Sequence, residues 1–267
     1  VTAARQHVVM WSGGITSWAT ARHVIAEHGT ASTTLLFADT NAEDEDLYRW
    51  NNDAAAQLGM TLTRVADARE RTPMQVFEDK RWLGNTRLAQ CALELKLKPC
   101  EDWLAGNPEL TFDNTTLYVG LDWSEPQRIP GNRASWLPWH AEYPLTEPPY
   151  WDKAQLFAQA REVGLTIPRL YELGFAHNNC GGGCVKGGVG QWTRLLKVFP
   201  DRYAKHEAFE QRMRATLGKD VSILRDRTGG ETKPLTLAAL RQRIEDQPDQ
   251  LDLFDEGGCG CFTDVAA

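Results

Sequence analysis

Two stretches of this 267-residue chain carry residue types and spacings that can do chemistry. The first is Ser12-Gly13-Gly14-Ile15-Thr16-Ser17. Two glycines let the backbone turn tightly and bring its N–H groups close to an anion. A helix starting directly behind them adds unpaired N–H donors and the positive end of its dipole. Ser12, Thr16 and Ser17 add neutral hydroxyls, so this stretch suits phosphate or sulfate. It is not a Walker loop, because no Gly-Lys-Ser/Thr follows, and it lacks the third glycine of the dinucleotide fingerprint. The second stretch is Cys180-Gly181-Gly182-Gly183-Cys184, two thiols on one glycine-rich turn. With Cys91 it can supply three thiolates to a [4Fe–4S] cluster, leaving the fourth iron open to sulfur, although the spacing is not a ferredoxin run. The competing occupants are zinc, with His177 or Cys100 completing a tetrahedral set, a redox or persulfide-carrying thiol pair, and no occupant at all. Cys259 and Cys261 form a further pair, read as a nucleophile or sulfur carrier delivered to the site, or as tail thiols without a role.

The elements that must position these residues follow from periodicity. Residues 7–11, 33–40, 61–67 and 116–121 read as strands, the first two as buried apolar runs. Helical patterns follow over 18–25, 41–58, 73–82, 86–104 and 152–163. Alternating strands and helices imply βαβ units and an open, mostly parallel twisted sheet flanked by helices. Asp39 ends the second strand, where such sheets place ligands. The acidic run Glu43-Asp44-Glu45-Asp46 reads as a solvated, capped first helical turn. Residues 129–151, rich in Pro, Trp and Tyr, read as an ordered connecting loop over the active face. Helices are expected over 189–217 and 235–246. The domains are then a nucleotide-binding α/β unit with the cysteine loop at 1–188, a helical extension at 189–247, and a mobile acidic tail with a cysteine pair at 248–267.

Composition sets the frame. Six cysteines fit metal, cluster or thiol chemistry better than disulfides in a chain of this length. No run approaches the roughly 18 apolar residues of a membrane span, and residues 1–7 lack a signal-peptide apolar stretch, so the expected setting is cytoplasmic and away from membranes. The net charge of −7 argues against broad nonspecific nucleic-acid binding. Lys186, Arg194, Lys197, Arg202, Lys205, Arg212 and Arg214 nevertheless give the helices after the cysteine loop a basic character that can meet RNA or DNA.

Taken in order, several segments resemble one family. The Ser-Gly-Gly-x-x-Ser loop is followed by the strand ending Asp39-Thr40. Cys91 to Pro99 is similar to a Cys-x-x-x-x-Lys-x-x-Pro segment, with Lys96 at the lysine. Gly120 to Arg128 is similar to a Gly-x-x-x-x-Glu-Ser-x-x-Arg segment, with Ser124 and Glu125 in reversed order. Phe175 to Val185 is similar to a late cysteine-pair stretch. Together, over about residues 7–188, they resemble the phosphoadenosine phosphosulfate (PAPS) reductase family of the PP-loop superfamily. The departures are Ile15 where many members carry Lys and Thr16 where many carry Asp, which removes charge that handles Mg-pyrophosphate. The Gly258-Cys259-Gly260-Cys261 tail matches the reductases' Glu-Cys-Gly motif only in position and glycine.

The resemblance implies adenine-nucleotide binding at Ser12, Gly13, Gly14, Ile15, Thr16, Ser17, Asp39 and Arg128, the last as a planar fork for phosphate or sulfate. It implies a role for Lys96 in neutralising a departing phosphate, with Cys259 and Cys261 as catalytic thiols and Cys91, Cys180 and Cys184 as metal ligands. Two reactions remain open: ATP-dependent adenylation of an acceptor, with Mg and sulfur transfer from the cysteine site, or thiol-dependent reduction of PAPS or adenosine phosphosulfate (APS) to sulfite. A third reading is a nucleotide- or nucleic-acid-associated accessory protein without turnover. Expected partners are the small nucleotide, a tRNA or DNA substrate, a sulfur or electron donor protein, and a second copy of the chain in a homodimer.

Overall fold

The strand β1 (Gln6–Trp11) shows how the sheet is built. Val9 and Trp11 enter one apolar cluster, while Val8 and Met10 enter another. A strand buried on both faces belongs in the middle of a parallel sheet covered by helices. In the computed structural model, which describes residues 4–84, 89–226 and 231–246, it occupies that place. The elements around it are α1 (Ile15–His28), β2 (Thr33–Asp39), α2 (Glu45–Gln57), β3 (Leu62–Ala66), α3 (Pro73–Lys80), α4 (Gln90–Ala92), a π-helical turn Leu93–Leu97, and α5 (Lys98–Gly106). Then come β4 (Thr115–Val119), α6 (Ile129–Trp136), β5 (His140–Glu142), α7 (Lys153–Glu162) and α8 (Arg169–Glu172). Helices α9 (Val189–Val198) and α10 (Pro200–Leu217), the antiparallel pair β6 (Leu224–Asp226) and β7 (Lys233–Leu235), and α11 (Leu237–Asp246) complete the described chain.

The main sheet has the order β3-β2-β1-β4-β5, with every neighbouring pair parallel. It is the open parallel α/β sheet read from the sequence. Chain direction across the sheet reverses between β1 and β4, a topological switch point. One face carries α1 and α7 through Trp18, Val24, Leu156 and Ala160. The other carries α5 and α6 through Cys100, Leu104 and Trp136. A third core joins Phe77 of α3 and Leu170 of α8 to Trp192, Tyr203, Phe209, Met213 and Leu240 of the helical C-terminal part. Among the described residues, no helix is long and apolar enough to cross a membrane.

Local chemistry explains the boundaries. Asp44 caps α2 by accepting from the Asp46 N–H, and Thr72 and Asp152 form capping boxes with Gln75 and Gln155. The helical pattern over 189–217 is divided at Phe199 because Pro200 opens a new helix. Residues 129–151 are more than a connecting loop, since they contain α6 and the edge strand β5. That strand has three residues with only Ala141 buried, too little alternation to show in the sequence.

Candidate active site

A cleft opens beyond the C-terminal ends of β1 and β4, at the switch point. Its space is about 620 Å³ including the part open to solvent. Ser12, Gly14 and Thr16 form one wall, Gly120, Asp122, Glu125 and Arg128 another, and Lys153, Tyr171 and His177 a third, joined by Asn178 and Asn179. The glycine turn is fixed from both sides. Gly13 has φ +78, and a Cβ there would sit 2.9 Å from Leu47 Cδ1. The Asn178 side chain donates to the Gly13 carbonyl at 2.9 Å, and the Ile15 N–H donates to the Tyr171 hydroxyl at 3.2 Å. Gly120 lets β4 close on the first turn of α1, since a Cβ would lie 3.0 Å from the Thr16 carbonyl carbon.

Within the loop the residues divide their work. Ser12, Gly14 and Thr16 line the cleft. The Ile15 side chain is buried in the core, and the Ser17 hydroxyl donates to the Gly14 carbonyl at 2.7 Å, bracing the turn. Arg128 lines the cleft and ion-pairs with Glu125 three residues earlier. Asp39 stands apart from it: fully buried, it accepts from the Asn41 N–H at 2.8 Å and the Tyr48 hydroxyl at 3.0 Å, with the Arg64 guanidinium 2.7 Å away. His177, which the sequence offered only as a zinc ligand, is a cleft residue. Burial, together with the charges of Lys153 and Arg128, pushes its pKa down to about 3, so it is a neutral hydrogen-bonding group.

The cysteines meet in an adjoining cavity lined by Cys91, Cys180, Cys184, Lys96, Lys186, Thr40 and Asn179. Asn179 is therefore a wall common to both spaces. Cys180 takes φ +49, and its backbone N–H donates to Glu43 Oε2 at 2.5 Å. Glu43 also accepts from the Thr40 hydroxyl at 2.9 Å and faces Lys96 Nζ at 3.7 Å. A hydrogen bond between the Cys180 and Cys184 thiols, with burial and the nearby Glu43 carboxylate, raises the Cys180 pKa well above that of a free thiol. Cys100 packs in the apolar core under the sheet, and His177 lines the other cleft, so neither joins this set. Among the described residues, no three His, Cys, Asp or Glu side chains, Cys91, Cys180 and Cys184 included, form a group that could hold a metal ion. Cys259 and Cys261 lie outside the described residues.

One expectation is corrected by burial. Glu43 and Asp44 are not a solvated turn. Asp44 is fully buried and accepts from Arg169 at 2.7 and 3.0 Å and from Arg202 at 2.6 Å. Arg202 also donates to the Gly181 carbonyl at 3.1 Å, so the acidic run holds the cysteine loop. The sequence hint was the excess of four acids where capping needs one or two. Four of the seven basic residues after the cysteine loop have the following contacts within the protein. Arg202 pairs with Asp44, Arg212 with Glu78 and Arg214 with Asp220, while Arg194 lies over the Phe175 ring.

No family model matches the chain, and no curated protein matches it. Among solved structures, the chain is similar to the crystal structure of phosphoadenylyl-sulfate (PAPS) reductase from Candida auris in its phosphate complex, with a TM-score of 0.45 and 18% sequence identity over 66% of this chain and 79% of that one.

Proposed function

We propose that the chain is an enzyme that binds an adenine nucleotide in the β1/β4 cleft and performs sulfur chemistry at the adjoining cysteines. One observation carries this reading: Asn179 walls both a cleft lined with phosphate-binding groups and a cavity lined with three cysteines. A reacting phosphorus or sulfur in the first space thereby has thiols as near neighbours.

The residues divide the work as follows. The glycine turn, Ser12 and Thr16 receive the negatively charged end of the nucleotide, and Arg128 and Lys153 offset the charge that develops as a bond breaks. Lys153 is aimed by donating to the Ala176 carbonyl at 3.1 Å. His177, neutral across the physiological range, hydrogen-bonds without adding charge. Asp122 and Glu125 are the carboxylates that a Mg²⁺ ion arriving with ATP would meet. Lys96 lies with the cysteines, so it serves thiolate or leaving-sulfur charge there rather than the phosphates.

The cysteine cavity suits a cluster better than a single ion. Each iron of a cluster takes one thiolate, so the three cysteines need to line one space rather than converge on a point. Cys91, Cys180 and Cys184 meet that condition. When bound, a [4Fe–4S] cluster would supply an open iron on which sulfur is carried. ATP-dependent adenylation of an acceptor followed by sulfur transfer is the leading reaction. The second reading is thiol-dependent reduction of PAPS or APS to sulfite, in which two thiols are oxidised to a disulfide and supply the two electrons.

Product analysis tests the proposal. Anaerobically purified protein is incubated with ATP, sulfide and tRNA as the acceptor, or with PAPS or APS plus a dithiol. AMP and pyrophosphate identify the first reaction, and sulfite identifies the second. Failure of all three nucleotides to bind in calorimetry would sink both. Iron and acid-labile sulfide, measured per chain and again in Cys91→Ala and Cys184→Ala, decide the cluster.

A further inference from the structure

The three cysteines also border a larger space that the nucleotide reading leaves unused. This cavity is about 670 Å³ including its mouth, and its walls are Met74, Phe77, Val185, Phe209 and Ile223, with Cys91, Cys180 and Cys184 at one side. Among the described residues, no Lys, Arg, Asp or Glu lines it, in contrast to the cleft with its Arg128, Lys153, Asp122 and Glu125. Phe77, Phe209 and Ile223 are almost fully buried in the third core, so these walls are fixed by packing.

One wall residue is polar in a telling way. His206 packs edge-on against Trp192, with ring centroids 5.1 Å apart. Its Nε2 lies 2.3 Å from the position a Cβ would take on Gly183, so only glycine beside Cys184 leaves room for the ring. No hydrogen bond is made to the imidazole among the described residues. Burial, with the Arg202 charge, pushes its pKa down to about 4, so at neutral pH it offers one N–H donor and one bare nitrogen. Protein cores are close-packed, and their chance voids are small. Ligand sites are larger, mostly apolar, and hold a few polar groups that fix orientation.

We infer that this cavity is a binding site for a small uncharged molecule with an apolar or aromatic body and a single polar end that hydrogen-bonds His206, held beside the Cys91, Cys180 and Cys184 thiols. The site is separate from the nucleotide cleft, and the inference stands whichever nucleotide fills that cleft.

The test uses two probes of nearly equal shape, 4-methylphenol and toluene, titrated into the full chain by calorimetry without nucleotide. The site is expected to take one 4-methylphenol per chain, about tenfold tighter than toluene, as one added hydrogen bond allows. His206→Leu is expected to erase that preference while toluene still binds. Met74→Trp, at a half-buried position in the first turn of α3, is expected to fill the cavity and remove both probes with the urea midpoint unchanged. Bound 4-methylphenol is also expected to slow maleimide labelling of the half-buried Cys91. The inference is overturned if neither probe saturates up to its solubility, or if folded Met74→Trp and His206→Leu proteins bind both probes as the parent does.

Discussion

Replacing Asp44 by Asn tests whether the acidic run holds the cysteine loop. The Asp44 carboxylate is fully buried and accepts four hydrogen bonds, two from Arg169, one from Arg202 and one from the Asp46 N–H. Breaking a fully buried ion pair costs about 3–5 kcal/mol. Here the two arginines are 40% and 29% exposed, so water recovers part of their solvation, and the expected loss is about 2–3 kcal/mol. In urea that is a midpoint shift of about 1 M. The pH dependence is a second signature. Burial pushes the Asp44 pKa up, but the Arg169 and Arg202 hydrogen bonds outweigh it and hold the carboxyl below its ordinary value. The contribution is therefore complete above the unfolded pKa near 3.8 and is lost as pH falls through the folded value. The stability gap between parent and variant should be constant from pH 7 to 5 and close below about 3.8. Because Arg202 also holds the Gly181 carbonyl, the variant should label faster at Cys180 and Cys184. A midpoint within ~0.2 M of the parent at pH 7, or a gap that survives protonation of the carboxyl, would refute the argument.

Other expectations follow from single contacts. Arg128→Gln should weaken nucleotide binding about 10- to 100-fold by calorimetry, the value of one charge-assisted hydrogen bond, with Arg128→Lys recovering only part. Gly120→Ala drives a Cβ to 3.0 Å from the Thr16 backbone. It should destabilise by about 1–3 kcal/mol in urea and weaken nucleotide binding by shifting the turn, whereas an unchanged affinity would show that the turn is not the anion site. His206, with its pKa pushed down to about 4, binds a proton more readily when unfolded. It should cost the protein stability as pH falls from 6.5 toward 5, by about 2 kcal/mol, and urea titrations of His206→Gln should show a shallower slope over that window.

What the sequence disclosed and what it hid have physical causes. The first two strands were legible because the apolar runs Val8–Trp11 and Leu35–Ala38 are buried on both faces, and a run of that kind needs no partner to be recognised. The glycine turn was legible because Gly13 takes a positive φ and a Cβ there would meet Leu47. The role of Glu43 and Asp44 was hidden because capping and burial favour the same acids at the same positions. Only Arg169, Arg202 and the Cys180 N–H, each more than a hundred residues away, distinguish the two. Asp39 illustrates the converse. Its strand-end position suggested a ligand, and nothing in the sequence signalled the Tyr48, Asn41 and Arg64 contacts that surround it. His206 carried no signal at all, because its surroundings come from Gly183, Trp192 and the third core.

The bonds that complete the site span long stretches of chain. Asn178 reaches the Gly13 carbonyl across 165 positions, Arg202 reaches Asp44 across 158, and Cys180 reaches Glu43 across 137. Loops of that size close slowly, and their closure entropy is lost before any contact repays it. β1 to β4 can pair once residues up to about 119 are available, but the cleft has no third wall and the cysteines no anchor until α8, the cysteine loop and α10 have docked. Assembly of the site is thus a late event in folding, and a nascent chain with its parallel sheet already formed would present the glycine turn to nucleotide while still lacking the thiols.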